Sequence, residues 1–528
     1  MLFAQGSSTL PPSDRDVTPT DRTHAASIIT AKAADFSRPV IYGTGGYYAA
    51  SVAAGDFNGD HNPDIAIANS CQSSSNGSNC DAGGVVGVLF GNGDGTLQQS
   101  VSYISGGSAA SSIAVADLNG DGYPDIVVAN QCISVTDCNS GDVGVLLNNG
   151  DGTFAPVVSY SAGYGTDAVA IADMNGDGIP DLVVANQCLN RNSCNNGGVS
   201  VLFGTGKGAF QAPTTYSSGG QGAVSVAVRD VNGDGFPDVV VANQCASKSN
   251  CNNGEVDILL GSSNGALHAG SSYSSGGYSA LSVAVADLES GGPPDIIVAS
   301  LCATSANCVD GVVGILIGYG NGTFKPPVAY DSDGYGASSV AVADMNGDGI
   351  PDLVVDNICK TSSNCSKGGV ALLLGKGDGT VQSPLLYDSD GNDATSVAAV
   401  DLNGDGKLDI VTADNCTTKD NCNGIVAVLL NSSLLKTTTV LASSANPAVV
   451  GQSVTFTATI TSATSVPDGE TVTFYQGSTA LGTGTTSGGI ATVSTSFSKS
   501  GSFTIKASYP GDAFHKPSSG KVIQVVTE

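Results

Sequence analysis

The sequence predicts an all-β protein: a seven-bladed β-propeller followed by a smaller β-sandwich. Three observations carry this. An acidic nine-residue loop recurs seven times, at intervals of 56 to 61 residues, which marks a repeat array. Glycine accounts for 71 of the 528 residues, tryptophan is absent and charged residues make up 12%, as suits short strands joined by many turns. Beyond residue 436 the acidic loop and cysteine both disappear, while alternating apolar runs continue.

Each repeat within residues 36–431 has four parts. In the second repeat a small alternating run, Ser112 to Asp117, leads into the acidic loop. An apolar run from Asp125 to Asn130 follows, then a cysteine loop. A third run, Gly141 to Asn148, enters a glycine-rich turn, and Ala155 to Tyr160 ends the unit. Four short strands joined by turns make one blade, and seven blades close a ring.

The chain enters the array with Arg38 to Gly43, which matches a fourth strand, and leaves it after Ile425 to Asn431, which matches a third. The last blade is one strand short, so the first segment is expected to supply it and remove an open sheet edge. First strands rich in Ala, Val and Ser suit a narrow central channel, and this pattern reads as packing.

Flanking regions follow from composition. Residues 1–35 are rich in Ser, Thr, Pro and Asp and read as a flexible leader, with MLFAQG the remnant of a truncated signal peptide. Residues 432–436 form a linker. Residues 437–528 carry strand patterns at Ser453 to Ile460, Thr471 to Gly477, Ile490 to Phe497 and Phe503 to Tyr509, an immunoglobulin-like sandwich.

A formal charge of −28 excludes a protein that grips nucleic acid phosphates. No stretch is long and apolar enough to span a bilayer. The fourteen cysteines form seven local pairs, one per repeat. Six have five residues between them: Cys132/Cys138, Cys188/Cys194, Cys245/Cys251, Cys302/Cys308, Cys359/Cys365 and Cys416/Cys422; the pair Cys71/Cys80 is wider. With none left over and no histidine recurring beside them, they read as disulfides of an exported protein rather than zinc ligands. Each closes a small loop and contributes roughly 2 kcal/mol in the chain-entropy model.

The acidic loops read DFNGDHNPD, DLNGDGYPD, DMNGDGIPD, DVNGDGFPD, DLESGGPPD, DMNGDGIPD and DLNGDGKLD. Oxygen side chains at positions 1, 3, 5 and 9, with glycine at 4 or 6 for the turn, suit a hard cation such as Ca²⁺. An EF-hand needs flanking helices and a carboxylate at position 12, where this chain has Ile67, Val128, Val184 and Val241 inside strands.

These loops, with glycine-rich turns such as GNGDGT at Gly91 and GYGNGT at Gly318, resemble the FG-GAP/VCBS repeat family and the integrin α-subunit propeller. The tail segments ANPAVVGQSVTFTATI, GETVTFYQGSTALGTG and ASYPGD resemble bacterial Ig-like repeats. The first resemblance implies side-chain ligands at positions 1, 3, 5 and 9 and a carbonyl at 7. In the first two loops these are Asp56, Asn58, Asp60, Asp64 with Asn62, and Asp117, Asn119, Asp121, Asp125 with Tyr123. In the third and fourth they are Asp173, Asn175, Asp177, Asp181 with Ile179, and Asp230, Asn232, Asp234, Asp238 with Phe236. In the sixth and seventh they are Asp344, Asn346, Asp348, Asp352 with Ile350, and Asp401, Asn403, Asp405, Asp409 with Lys407. The fifth loop retains only Asp287, Glu289 and Asp295, and is expected to bind weakly or not at all. About six Ca²⁺ ions would then rigidify the blades by neutralising clustered carboxylates.

The alternation of links places the cysteine loops and blade-to-blade connections on the face opposite the acidic loops. Nine residues before each loop, that face carries Tyr47, Tyr164, Tyr278 and Tyr335, with Ser108, Gln221 and Asn392 in the other repeats. Tyrosines stack on sugars or anchor peptides; the competing expectation is that they pack between blades. Asp331, Asp333, Asp388 and Asp390 add negative charge there. The expected function is a secreted or cell-surface, monomeric recognition module binding an extracellular protein or glycan through this face. A structural surface or matrix component is the alternative. A polysaccharide-degrading enzyme on a propeller scaffold ranks behind both, because the four histidines, His24, His61, His268 and His515, are neither repeated nor paired.

Overall fold

The computed structural model describes residues 34–72, 82–191, 194–247, 251–305, 308–361, 365–418, 421–432, 435–462, 466–512 and 515–528. Residues 1–33 of the expected leader, part of the expected linker and Cys80 lie outside them. Every named element is a β-strand.

The second blade shows how a repeat folds. Ser108–Ala116, Asp125–Cys132, Gly141–Leu146 and the start of Val158–Ala172 pair antiparallel in that order. The second strand is buried along almost its whole length because both its faces meet neighbouring blades, which is why it reads as a continuous apolar run. The fourth strand lies at the rim and is largely exposed, as Val101–Ile104 is in blade one.

The chain closes the ring on itself. In Val40–Gly55, residues Val40 to Gly43 pair with Val428 to Ile425 of Asn423–Leu429, supplying the missing fourth strand of blade seven. The same strand then continues as the first strand of blade one, with Val52 opposite Ile67.

The propeller core divides into seven apolar clusters, one at each seam between adjacent blades. At the first seam, for example, Ala68 and Val88 meet Ala110, Ile113 and Val128. Two polar or aromatic ties reinforce these seams. Ser51, Ser112, Ser225, Ser282, Ser339 and Ser396 each accept a hydrogen bond, at 3.1 to 3.4 Å, from a backbone N–H in the next blade's first strand. The last of these runs from Val52 to Ser396 and so crosses the closure. At the rim, Tyr103, Tyr160 and Tyr273 pack edge-on against Phe154, Phe210 and Phe324 from the next blade's glycine turn, with centroids 5.2 to 5.8 Å apart. For Tyr387 the partner ring is Phe36, from the start of the described chain.

Residues 438–527 form the sandwich. Thr438–Ser443, Ser453–Thr461 and Ile490–Ser496 make one sheet, and a five-stranded sheet faces it. Val454, Phe456, Val472, Phe474, Ile505 and Tyr509 fill the space between them.

The closure generates a prediction. Deleting the chain through Gly43 leaves the edge at Asn423–Leu429 open and removes the ring that packs on Tyr387. The expected result is a lower melting temperature with self-association on size-exclusion chromatography; a monomer melting like the full chain would contradict the closure.

Candidate functional site

The acidic loops are built by side chains folding back on their own backbone. In the second loop Asp117 accepts the N–H of Gly120 at 2.7 Å on one oxygen and that of Gly122 at 2.8 Å on the other. Asn119 Oδ1 accepts the N–H of Asp121 at 2.8 Å, and Asp121 Oδ1 accepts that of Tyr123 at 2.9 Å. Gly120 and Gly122 hold φ of 76° and 89°, the left-handed region that glycine enters without penalty. The same nested turns recur in the other intact loops, as Gly176, Gly178 and Ile179 show around Asp173 and Asp177. His61 takes the left-handed position in the first loop, with φ of 68°.

Position 9 is different in kind. Asp64, Asp125, Asp181, Asp238, Asp295, Asp352 and Asp409 are all 0% exposed. Each carboxylate joins two loops: Asp125 accepts the N–H of Leu118 at 2.9 Å and that of Asn148, in the glycine turn, at 2.7 Å. Asp295 does the same with Leu288 and Gly318 although its loop has Gly291 in place of the position-5 aspartate. Sequence placed this residue among the metal ligands; its geometry also makes it a staple between the two turns on this face.

Burial pushes the Asp125 carboxyl up to about 6, against the pull of its two N–H bonds, and the charges of Asp121 and Asp117 add to the rise. Asp352 and Asp409 are pushed to about 7 for the same reasons. Glu255, Asp142 and Asp257, outside the loops, rise to about 7, 6 and 6 through burial.

Among the described residues no three acidic, histidine or cysteine side chains form a closed metal cluster. The donors that the loops present are nevertheless all oxygens on tight turns, which suits Ca²⁺. Two loops bring a basic side chain of their own. Lys407 is buried, with its ammonium 2.9 Å from Asp405, and His61 lies 3.6 Å from Asp56 on the surface. In the fifth loop Asp287 accepts the N–H groups of Glu289 and Gly291 around Ser290, whose φ is 64°.

The opposite face carries six disulfides among the described residues: Cys132–Cys138, Cys188–Cys194, Cys245–Cys251, Cys302–Cys308, Cys359–Cys365 and Cys416–Cys422. Their Cα separations run from 3.7 to 4.9 Å. The two halves of each bridge differ. The first cysteine ends a second strand and is buried, or half-buried at Cys188. Its partner lies in a link: Cys138, Cys194, Cys251 and Cys365 are exposed, while Cys308 and Cys422 are half-buried. Residues 192–193, 248–250, 306–307 and 362–364, directly before Cys194, Cys251, Cys308 and Cys365, lie outside the described residues. The expected Cys71–Cys80 bridge involves a residue outside the described set.

Tyr47, Tyr164, Tyr278 and Tyr335 lie opposite Cys71, Cys188, Cys302 and Cys359 in the strand pairing, and all four are half-buried. The residue after each is left-handed in all seven repeats, including the non-glycines Tyr48, Ala109, Ser279 and Asp393, with φ of 55° to 66°. Of the acidic residues expected here, Asp388 is 2.8 Å from Lys360, and Asp390 pairs with Lys367. Asp331 and Asp333 are exposed, and their charges add to the effect of burial in raising Asp310.

Between the faces runs a channel of about 670 Å³ lined mainly by Ala and Val of the first strands, with Arg229 at the acidic-loop end. Sequence reading passed over two recurring tyings. One is the buried Asn of the second strand, which accepts the hydroxyl of a link serine, as Asn130 does from Ser105 at 2.6 Å. The other is the rim tyrosine; both signals stood at fixed spacing in every or nearly every repeat.

This geometry makes two predictions. Replacing Asp295 by Ala leaves two buried N–H groups without an acceptor, so stability should fall by about 2 kcal/mol or more, equally with and without calcium. Denaturant unfolding checks this, and a loss seen only in calcium would assign position 9 to metal alone. The raised carboxyls also set a pH dependence for chelated protein. A folded pKa above the unfolded value gives stability that is complete below the unfolded pKa and lost as pH rises through about 6 to 7. In EGTA the melting temperature should therefore climb from about pH 8 to about pH 5; a fall over that window would refute the assignment.

Family models agree with this architecture. An FG-GAP-like repeat model matches residues 74–128, 132–184, 189–241, 292–355 and 362–412. An FG-GAP repeat model matches residues 48–86 and 217–268, and a bacterial Ig-like domain (group 3) matches residues 441–527. The chain is 29% identical over 174 residues to integrin alpha pat-2 of Caenorhabditis elegans, a match covering 28% of this chain and 14% of that protein. Among solved structures, the extracellular domain of a putative one component system from B. thetaiotaomicron aligns over 92% of this chain and 56% of its own, at TM-score 0.40 and 9% identity. The exotype rhamnogalacturonan lyase YesX aligns over 71% of this chain and 63% of its own, at TM-score 0.32 and 13% identity. Recurring acidic loops, blades of four strands and repeat models matched in register place the chain in the FG-GAP-like repeat family.

Proposed function

We propose that the chain is an extracellular, calcium-stabilised recognition module that binds a protein or glycan through the face carrying the cysteine loops. The observation that carries this reading is the concentration of unusual features on that face. Bridged loops, four half-buried tyrosines and a ring of left-handed residues all gather there. Each non-glycine residue held left-handed costs roughly 1 kcal/mol or more, and such strain collects at binding sites. The tyrosines offer flat apolar surface with a polar tip, which suits either a sugar ring or a peptide. Asp310, Asp331 and Asp333 favour a partner with basic groups near blades five and six.

In the acidic loops the side chains at positions 1, 3 and 5 and the carbonyl at 7, with position 9 behind them, would hold calcium. The ion supplies positive charge to clustered carboxylates. The chain's own part is the turn geometry, since Asp117 and Asn119 are already oriented by backbone N–H groups. These loops are thereby scaffolding, and the opposite face is left for contact.

Binding of the full chain to arrays of glycans and extracellular proteins, in calcium and in EGTA, tests the proposal. A hit lost on Tyr164→Ala or Tyr335→Ala, with the fold intact, is the expected outcome. Failure to bind anything in calcium would favour a structural component of a surface or matrix.

A further inference from the structure

Six of the seven seams share one set of three side chains. A second-strand alanine faces the next blade, where it meets a branched aliphatic residue and, two positions later, an Asn or Ser. At the first seam these are Ala68, Val128 and Asn130; at the fifth they are Ala299, Val355 and Asn357. Between blades six and seven all three change together, to Asp356, Thr412 and Asp414.

All three are 0% exposed. Asp414 accepts the Ser389 hydroxyl at 2.7 Å on one oxygen and the Thr412 hydroxyl at 3.0 Å on the other. Neither oxygen of Asp356 has a hydrogen-bond partner among the described residues. Burial, and then the charge of Asp414, drive the Asp356 carboxyl well above the usual carboxylate range. Among the described residues no lysine, arginine or histidine acts on either group.

A buried carboxylate is tolerated when it is paired or ligates a metal. Here two of them share one buried seam, and three positions have departed together from the pattern of the other six seams. We propose that Asp356 and Asp414 hold one hard divalent cation of the calcium class between blades six and seven, with the Ser389 and Thr412 hydroxyls beside it. Four carboxylate oxygens and two hydroxyls are an all-oxygen donor set, which excludes soft metals and suits Ca²⁺ or Mg²⁺. Two negative charges match one divalent ion. The site would tie the blade that completes the ring to its neighbour, and it does not depend on the acidic loops binding metal.

The test compares the full chain with a triple variant, Asp356→Ala, Thr412→Val and Asp414→Asn, which restores the pattern of the first seam. Both are purified in calcium, passed briefly through EGTA and counted for bound metal by native mass spectrometry. The wild-type chain should retain one more ion than the variant. Equal counts overturn the proposal. Ions in the acidic loops contribute alike to both proteins, so failure of the calcium-loop reading changes each count but not their difference. Should the variant misfold, anomalous scattering from wild-type crystals with terbium in place of calcium decides the matter. A peak between the two carboxylates is expected; carboxyls in direct contact sharing a proton, with no peak, refute it.

Discussion

A ring of blades stands only if every seam between neighbours buries its polar groups with partners. The blades have little other means of holding together, because each is a sheet of four short strands whose two faces are covered by its two neighbours. Small residues let the first strands crowd round the channel, and their serines reach across to the following backbone. Further out, buried Asn and Ser tie each link to the second strand, and tyrosine closes on phenylalanine at the rim. Apolar contact supplies most of the stabilisation, while these directional ties fix the angle at which one blade meets the next.

The two faces of the ring then divide the remaining work. On one, carboxylates fold the acidic loops round their own N–H groups, and the buried aspartate at position 9 joins loop to glycine turn. Closely spaced negative charge makes this face the natural place for cations. On the other, disulfides anchor the links between the second and third strands, and the chain accepts left-handed residues at the start of each first strand. A rigid scaffold with varied, braced loops on one side is the usual arrangement of a binding surface.

Much of this was legible in the sequence because repetition converts weak signals into strong ones. The blade count, the strand-exchanged closure at Val40 to Gly43 and the six described bridges all rest on spacing that recurs in register. Spacing did not show that each bridge joins a buried or half-buried strand end to a more exposed link, as Cys245 and Cys251 do. Direction was harder still to read. Asp295 looked like the remnant of a failing metal site, yet its carboxylate is spent on two backbone N–H groups, as at every other position 9. The rim tyrosines were hidden for a related reason: spacing shows that a residue recurs, but not which neighbouring blade its ring touches. Tyr103 meets Phe154 some fifty residues away, across a seam that only the folded ring creates. The seam at Asp356 escaped notice because each of its three changes looks minor alone, and they meet only in space.

Hydrogen–deuterium exchange on the full chain, with calcium and after chelation, tests this division of work most directly. The account predicts that chelation deprotects the amides of the six intact acidic loops, while the fifth loop around Asp287 and the rim around Tyr164 and Tyr335 keep their protection. Loss of protection in the fifth loop to the same extent as the others, or no change anywhere, would contradict it.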